Sequence, residues 1–249
     1  MQKGQSQVSV KSAFKNSPRG RPRAFDRDAA LMSAMRIFWI KGYEATSISD
    51  LTGVMGVGTT SLYAAFGSKD ELYSEALRYY AAKYEGLVWG RFREARSVRD
   101  AVKAYLYDSA AAMTGSDCDL PRGCLATLGT VGSDGHAELA ELMRSTRGIA
   151  FDVLTTRLKQ AVEEGELSSS IDLVKVSRFI QTVQSGMAIR ARDGAERGEL
   201  QGAAEIAMAG WDAFISQAMA EPAVRGQAGG PSSDGDNSDD RPTSRDDRT

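Results

Sequence analysis

The sequence predicts an all-α protein in which an N-terminal three-helix domain, residues 25–72, is joined by a long helix to a larger helical domain, residues 73–221. Apolar residues recur every three to four positions through most of the chain, and no convincing apolar–polar alternation of a β-strand occurs. Residues that cap helices precede several of these segments, and glycines that end helices follow them. These observations together favour helices alone.

The first two predicted helices are set by local capping signals. The first begins near Asp26 and ends at Gly42, because glycine tolerates the left-handed conformation that follows many helices. The second begins at Thr46 or Ser47, since Ser47 and Asp50 have the spacing of a capping box.

Two further helices follow a tight turn at Gly56. One covers about residues 58–65. A clear Ser-x-x-Glu box, formed by Ser68 and Glu71, begins the other, a long helix that reaches about Arg93. Four helices are thus predicted within some 70 residues.

Five more helices are predicted, at about 97–114, 122–132, 136–165, 172–193 and 199–219. The last two carry apolar stripes with the rhythm of packed helices. We expect these stripes to form a dimer interface: Val176, Ile180, Val183, Met187, Ala204, Ala207, Trp211 and Phe214. Small residues on the last helix permit an isologous four-helix interface, while the alternative is that both stripes close the core of their own subunit.

Residues 46–66 have the spacing of a helix-turn-helix. Inward-facing positions are expected at Ile48, Leu51, Val54, Val57, Leu62 and Phe66. The exposed side of the second helix then carries Thr59, Thr60, Ser61, Tyr63 and Ala64. Small hydroxyl residues at a helix N-terminus suit a groove lined with phosphates and base edges, whereas a plain helical hairpin is the alternative interpretation.

The stretch from Asp26 to Leu72 contains F-W-I-K-G-Y-E-A-T-S-I-S-D-L and G-V-G-T-T-S-L-Y-A-A-F-G-S-K-D-E-L, and it resembles the TetR family DNA-binding domain along its whole length. The P-R-G-C-L motif at 121–125 and the two closing helices resemble the ligand-binding half of that family. The resemblance implies a homodimeric transcriptional repressor that binds double-stranded operator DNA and is released by a small-molecule effector. A helical adaptor or a small-molecule-binding protein without DNA binding is the alternative.

The resemblance also implies which residues touch DNA. Thr46, Tyr63 and Lys69 are expected to contact phosphates. Positions at or near base edges are Gly58, Thr59, Thr60 and Ala64. The chain departs from the family pattern because many members carry Ser in place of Gly58 and a large residue at Ala64 or Ala65, and the methyl groups here cannot donate hydrogen bonds.

The two ends of the chain are polar and opposite in charge. Residues 1–24 hold six basic and no acidic side chains, whereas residues 222–249 hold six aspartates against four arginines. Both are expected to be disordered. Within the basic arm, Arg19, Arg21 and Arg23 have the form of an AT-hook that lies in a narrow minor groove, and a non-specific phosphate tether is the alternative.

Apolar side chains in the C-terminal helices are candidates for lining an effector pocket. These candidates are Tyr105, Met113, Leu128, Met143, Phe151 and Phe179. Ordinary core packing is the alternative for each of them.

The reactive side chains argue against an enzyme, a cofactor and a metal site. His136 is the only histidine, no G-x-S-x-G motif occurs, and the glycines of 53–58 stand in the wrong order for a dinucleotide fingerprint. Cys118 and Cys124 lack the spacing of a zinc site. No apolar run could cross a membrane and no secretory signal is recognisable, so a cytoplasmic protein is expected.

Overall fold

The computed structural model describes residues 25–115, 120–129 and 136–220. Within these ranges all regular structure is helical, which confirms the predicted fold class. The helices are α1 Arg27–Lys41, α2 Ile48–Met55, α3 Thr59–Phe66, α4 Lys69–Glu94, α5 Val98–Thr114, α6 Leu125–Leu128, α7 Ala137–Glu163, α8 Leu173–Arg192 and α9 Arg197–Ala220. The basic arm, the acidic tail from 222 and Cys118 lie outside the described residues.

The predicted capping residues start the N-terminal helices. Ser47 and Asp50 form the reciprocal capping box at α2, with the Asp50 N–H donating to Ser47 Oγ at 3.0 Å and the Ser47 N–H donating to Asp50 Oδ2 at 2.9 Å. The Ser68 hydroxyl accepts from the Glu71 N–H at 3.1 Å at the start of α4. Gly56 ends α2 in the left-handed conformation, with φ of 66°. These short-range bonds explain why the sequence predicts this region well.

The segment 122–132 is the one predicted helix that the structure mostly lacks. Only Leu125–Leu128 is helical within the described part of this segment. Gly123 has φ of 89°, outside the helical region, and its N–H donates to the Met113 carbonyl at 2.8 Å. This bond holds the chain against the end of α5, so the longer helix was a wrong prediction.

Two groups of buried side chains stabilise the fold. The N-terminal cluster joins α1, α2, α3 and the first half of α4 to α6 and the start of α7, and the C-terminal cluster joins the end of α4 to α5, α7, α8 and α9. Helix α4 enters both clusters, since Leu72 and Leu77 belong to the first and Phe92 to the second. The domain boundary at 72/73 stays a prediction. None of the described helices is both long and apolar enough to span a bilayer.

The predicted dimer stripes lie in the wrong place for an interface. Most of their members are buried within the C-terminal cluster of a single subunit: Val176, Ile180, Met187, Ala204, Ala207 and Trp211. Val183 is partly buried against the same cluster, and only Phe214 is exposed, at 47%. The physical reason is that α5 packs against both α8 and α9 and covers the stripes from within. The predicted interface is therefore wrong for the six buried residues, while Val183 and Phe214 stay predictions.

Candidate nucleic-acid interface and ligand cavity

Helix α3 presents a polar face outward because two apolar side chains fix its other face. Leu62 is fully buried and Phe66 is 5% exposed, both in the N-terminal cluster. The positions predicted to face solvent are all exposed: Thr59, Thr60, Ser61, Tyr63 and Ala64. Gly58 occupies the N-cap position and supplies no side-chain cap. The first backbone N–H groups of α3 thus have no partner within the helix, and Thr59 and Thr60 beside them are exposed.

An arginine that the sequence analysis overlooked ties α3 to the neighbouring helices. Arg27 donates from Nη2 to the Ala65 carbonyl at 3.2 Å and to Glu75 Oε2 at 2.7 Å. Its guanidinium also lies 4.4 Å from the centre of the Phe66 ring. Arg27 therefore links the start of α1, the end of α3 and the first half of α4. No spacing rule in the sequence signals this three-way contact.

Two predictions for the helix-turn-helix are wrong in detail. Val54 was expected to face inward but is 43% exposed. The Thr46 side chain was expected to touch phosphate, yet it is fully buried and its hydroxyl donates to the Gly42 carbonyl at 2.6 Å. Thr46 thus closes the end of α1 instead of facing DNA.

Lys69 already contacts an aromatic ring of its own subunit with its ammonium. Its ammonium is 4.1 Å from the centre of the Tyr43 ring, and burial lowers its pKa from the ordinary value. Its predicted phosphate contact remains a prediction.

Tyr43, Asp70 and His136 connect the N-terminal helices to α7. The Tyr43 hydroxyl donates to Asp70, and Nδ1 of His136 lies 2.8 Å from the other carboxylate oxygen of Asp70. Burial opposes ionisation of Asp70, but the bonds from Tyr43 and His136 outweigh it and lower its pKa. Burial and the Asp70 carboxylate raise the pKa of Tyr43. His136, the only histidine of the sequence, thus bridges the N-terminal helices to the start of α7.

We expect this bridge to contribute modest, pH-dependent stability. A carboxylate with a lowered pKa stabilises the fold above its unfolded pKa, and that contribution is lost as pH falls below about 4. The carboxylate of Asp70 is 42% exposed, so the contribution should be less than about 1 kcal/mol. Urea unfolding from pH 6 to pH 3 should therefore show a smaller loss of stability in Asp70→Asn than in the wild-type protein. An equal loss in both would contradict the bridge, and Asp152→Asn, an exposed change on α7, is the control.

A cavity of about 490 Å³ lies among α4, α5, α7 and α8 and reaches α1. Aliphatic, polar and aromatic side chains line it together, and the aromatic ones are Trp39, Tyr80, Tyr84, Trp89 and Tyr105. Cys124 also lines it and accepts a hydrogen bond from the Tyr80 hydroxyl at 3.3 Å. The sequence analysis did not name Trp39 or Trp89 as pocket residues, because they lie on different helices that only the fold brings together.

Two of the six predicted pocket residues, Tyr105 and Met113, line this cavity, and the other four do not. Met143 is buried in the N-terminal cluster and accepts a hydrogen bond from Tyr73. Phe179 is 48% exposed. Phe151 lies under the Arg178 guanidinium, and Leu128 lines a neighbouring space of about 140 Å³ that Trp39 also lines.

The sequence profile described as "Bacterial regulatory proteins, tetR family" matches residues 30–76. The chain is also 35% identical over 202 residues to the HTH-type transcriptional repressor ComR of Escherichia coli (strain K12), covering 79% of this chain and 94% of ComR. This chain belongs to the TetR family. It is a transcriptional regulator with a helix-turn-helix domain and not an enzyme.

Other TetR-family proteins are similar over the same length. The HTH-type transcriptional repressor BdcR of Escherichia coli (strain K12) is 29% identical over 194 residues, which is 77% of this chain and 90% of BdcR. The structure of a cysteine mutant of the regulator CifR in complex with 26-bp double-strand operator DNA is 34% identical with a TM-score of 0.71, covering 76% of this chain and 98% of that one. The likeness therefore extends through the C-terminal helices as well as the helix-turn-helix.

Proposed function

We propose that this TetR-family protein is a homodimeric repressor that binds operator DNA through α2 and α3 and is released by a small molecule in the aromatic cavity. The observation that carries the proposal is the exposed face of α3, held outward by buried Leu62 and Phe66. The test is fluorescence anisotropy with DNA from upstream of its own gene, in an excess of unrelated competitor DNA. Equal affinity for both DNAs would contradict sequence-specific binding.

The groups on α3 suit different parts of a DNA groove. The hydroxyls of Thr59 and Thr60 can donate to phosphate or base edges, and the Tyr63 hydroxyl can reach phosphate. Ala64 offers a methyl group for apolar contact with thymine, while Gly58, which has no side chain, lets the N-terminus of α3 approach the DNA phosphates closely. Direct hydrogen bonding to bases is therefore sparse, and the basic arm with Arg19, Arg21 and Arg23 compensates for it.

Deleting residues 1–24 is expected to weaken operator binding and to flatten its salt dependence. Residues 26–66 hold three basic and four acidic side chains, so these helices supply little net attraction for DNA. The slope of log affinity against log salt should fall by roughly 0.9 for each lost phosphate contact. An unchanged slope would show that the arm makes no such contact. A greater loss on operators with A·T flanks than with G·C flanks would favour the AT-hook over the tether.

The second copy of the chain is proposed to dock on the outer faces of α8 and α9. Large apolar side chains are exposed there although no described part of the same subunit covers them: Phe179 48%, Ile189 53%, Ile206 77% and Phe214 47%. Gly186 and Gly210 are exposed on the same helices and allow close helix approach. An exposed apolar surface on two adjacent helices fits an isologous four-helix interface.

The cavity is proposed to control DNA binding through the helices it contacts. Helix α4 begins next to α3 and continues along the cavity, so a molecule bound there can favour one position of α4 and α3 over another. A hundredfold drop in operator affinity requires the effector to prefer the DNA-incompetent form by about 2.7 kcal/mol. Screening metabolites by thermal shift, followed by operator release, tests this coupling. A tight ligand that leaves operator affinity unchanged would contradict it.

A further inference from the structure

The aromatic cavity is in direct contact with the N-terminal helices through one side chain. Trp39 lies in the last turn of α1, and its side chain lines the cavity. Its ring packs edge-on against Tyr80 of α4, with a centroid distance of 4.9 Å. The carbonyl of Trp39 accepts from Nη2 of Arg192 at 2.7 Å, so the end of α1 is also fixed to the end of α8. A molecule in the cavity would therefore touch α1 itself, and α4 would not be the only route to the DNA-binding helices.

The indole N–H of Trp39 is a buried donor without a hydrogen-bond partner among the described residues. The whole residue is only 3% exposed. Buried donors in native proteins are nearly always satisfied by protein, water or a ligand, and an exception calls for an explanation. The indole nitrogen can only donate, so the group that satisfies it must be an acceptor.

Four charged side chains line the cavity: Arg78, Glu85, Arg93 and Arg147. Arg78 is exposed to solvent, where an ion pair contributes little. Glu85 and Arg93 form an ion pair with each other, and their side chains are about half exposed. Arg147 already donates to the Gly129 carbonyl at 3.0 Å. Burying an isolated charge against an aromatic lining is costly. The lining thus favours an uncharged molecule.

We infer that the cavity binds an uncharged, largely aromatic molecule that carries a hydrogen-bond acceptor, and that Trp39 donates to this acceptor from Nε1. The aromatic lining supplies the stacking and edge contacts, and Trp39 supplies the polar selectivity. The inference rests on the proposed effector function for its consequence on DNA binding. Trp39 is then the residue that both selects the ligand and transmits its presence to α1.

The test compares three two-ring probes of nearly the same shape. 2-Acetylnaphthalene carries a carbonyl acceptor, 2-isopropenylnaphthalene replaces the oxygen with a methylene group, and 2-naphthoate carries a negative charge. Equilibrium dialysis of the wild-type protein should give about tenfold tighter binding of the ketone than of the alkene, the size expected for one buried hydrogen bond. Binding of the carboxylate that equals or exceeds that of the ketone would overturn the assignment of an uncharged ligand.

Substitution of the tryptophan isolates the hydrogen bond from the apolar contacts. Trp39→Phe keeps an aromatic ring but removes the N–H, so the ketone-to-alkene ratio should fall to about one. Trp89→Phe changes another tryptophan of the same lining and is expected to weaken both probes together, which leaves the ratio intact. Thermal unfolding of each variant confirms that it is folded. A tenfold ratio that persists in folded Trp39→Phe would overturn the role of Trp39.

Failure of this inference is distinguishable from failure of the proposed function. Dialysis measures binding to the free protein, whereas fluorescence anisotropy with operator DNA measures release from the operator. Ketone binding with the expected ratio, but without operator release, would contradict only the effector function. Operator binding together with a ratio of about one in the wild-type protein would contradict only the ligand assignment.

Discussion

Ile206→Glu is expected to convert the dimer into a folded monomer. Ile206 is 77% exposed on α9, so its replacement removes almost no packing within one subunit. In the proposed isologous interface the same patch meets its own copy, so one glutamate from each subunit would be buried in it without a partner. Unpaired buried charges are costly and like charges add repulsion, which together should outweigh the apolar contacts of the face.

Light scattering at micromolar concentration should show half the wild-type mass for Ile206→Glu. Operator affinity should fall at least about 100-fold, because two half-sites on one DNA are no longer bound by one linked pair of reading helices. A stable dimer with normal operator affinity would contradict the assignment of this face. Ile40→Glu, which places the same charge at an exposed position of α1, is the control for charge alone and should remain dimeric.

The neighbouring Ala207 supplies a sharper contrast within the same helix. It is 7% exposed and packs in the C-terminal cluster, about 100° around the axis of α9 from Ile206. Ala207→Glu should therefore lower the free energy of unfolding by about 3 kcal/mol or more, because a charge enters the core of its own subunit. Chemical denaturation separates this loss of stability from simple dissociation.

The N-terminal helices could be predicted from the sequence because their limits depend on neighbouring residues. The Ser47–Asp50 capping box and the Ser68 cap act over three residues, and their pattern is visible without knowledge of the fold. The exposed face of α3 follows in the same way from the positions of Leu62 and Phe66. Thr46 shows the limit of such reasoning. Its hydroxyl donates to the Gly42 carbonyl and is therefore not available to DNA.

The dimer face and the cavity could not be assigned from periodicity alone. An apolar stripe on a helix looks the same whether it meets another helix of its own subunit or a second subunit. Helix α9 carries both kinds of surface. Ala207 is buried in the core of its own subunit, whereas the next residue back, Ile206, is exposed on the face proposed to meet the second subunit. The cavity is harder still, because its wall combines Trp39 of α1 with Trp89 of α4 and Gln184 of α8. Only the packing of distant helices brings these residues together.

The double substitution Thr59→Ala and Thr60→Ala is expected to reduce operator affinity by about 100-fold. A neutral hydrogen bond contributes about 0.5–1.5 kcal/mol, and the proposed dimer presents both threonines twice. Four such bonds near the lower end of this range give about the 2.7 kcal/mol of a 100-fold change. The two residues are exposed in the first turn of α3, so their loss removes no core packing. Alanine is also a better helix former than threonine, and thermal unfolding should be nearly unchanged.

Two further variants separate the hydroxyl groups from other effects on DNA binding. Thr59→Ser and Thr60→Ser together retain both hydroxyls and should recover most of the affinity, whereas Ser170→Ala, an exposed change in the α7–α8 connection, should have no effect. The salt slope identifies the partner of the hydroxyls, because neutral hydroxyls release no counterions themselves. A lower affinity with an unchanged slope indicates that the hydroxyls contact bases, or contact phosphates without displacing counterions. A reduced slope indicates that contacts between basic side chains and phosphates elsewhere have been lost because α3 has shifted. An affinity within twofold of the wild-type value would mean that α3 does not contact the operator through these hydroxyls.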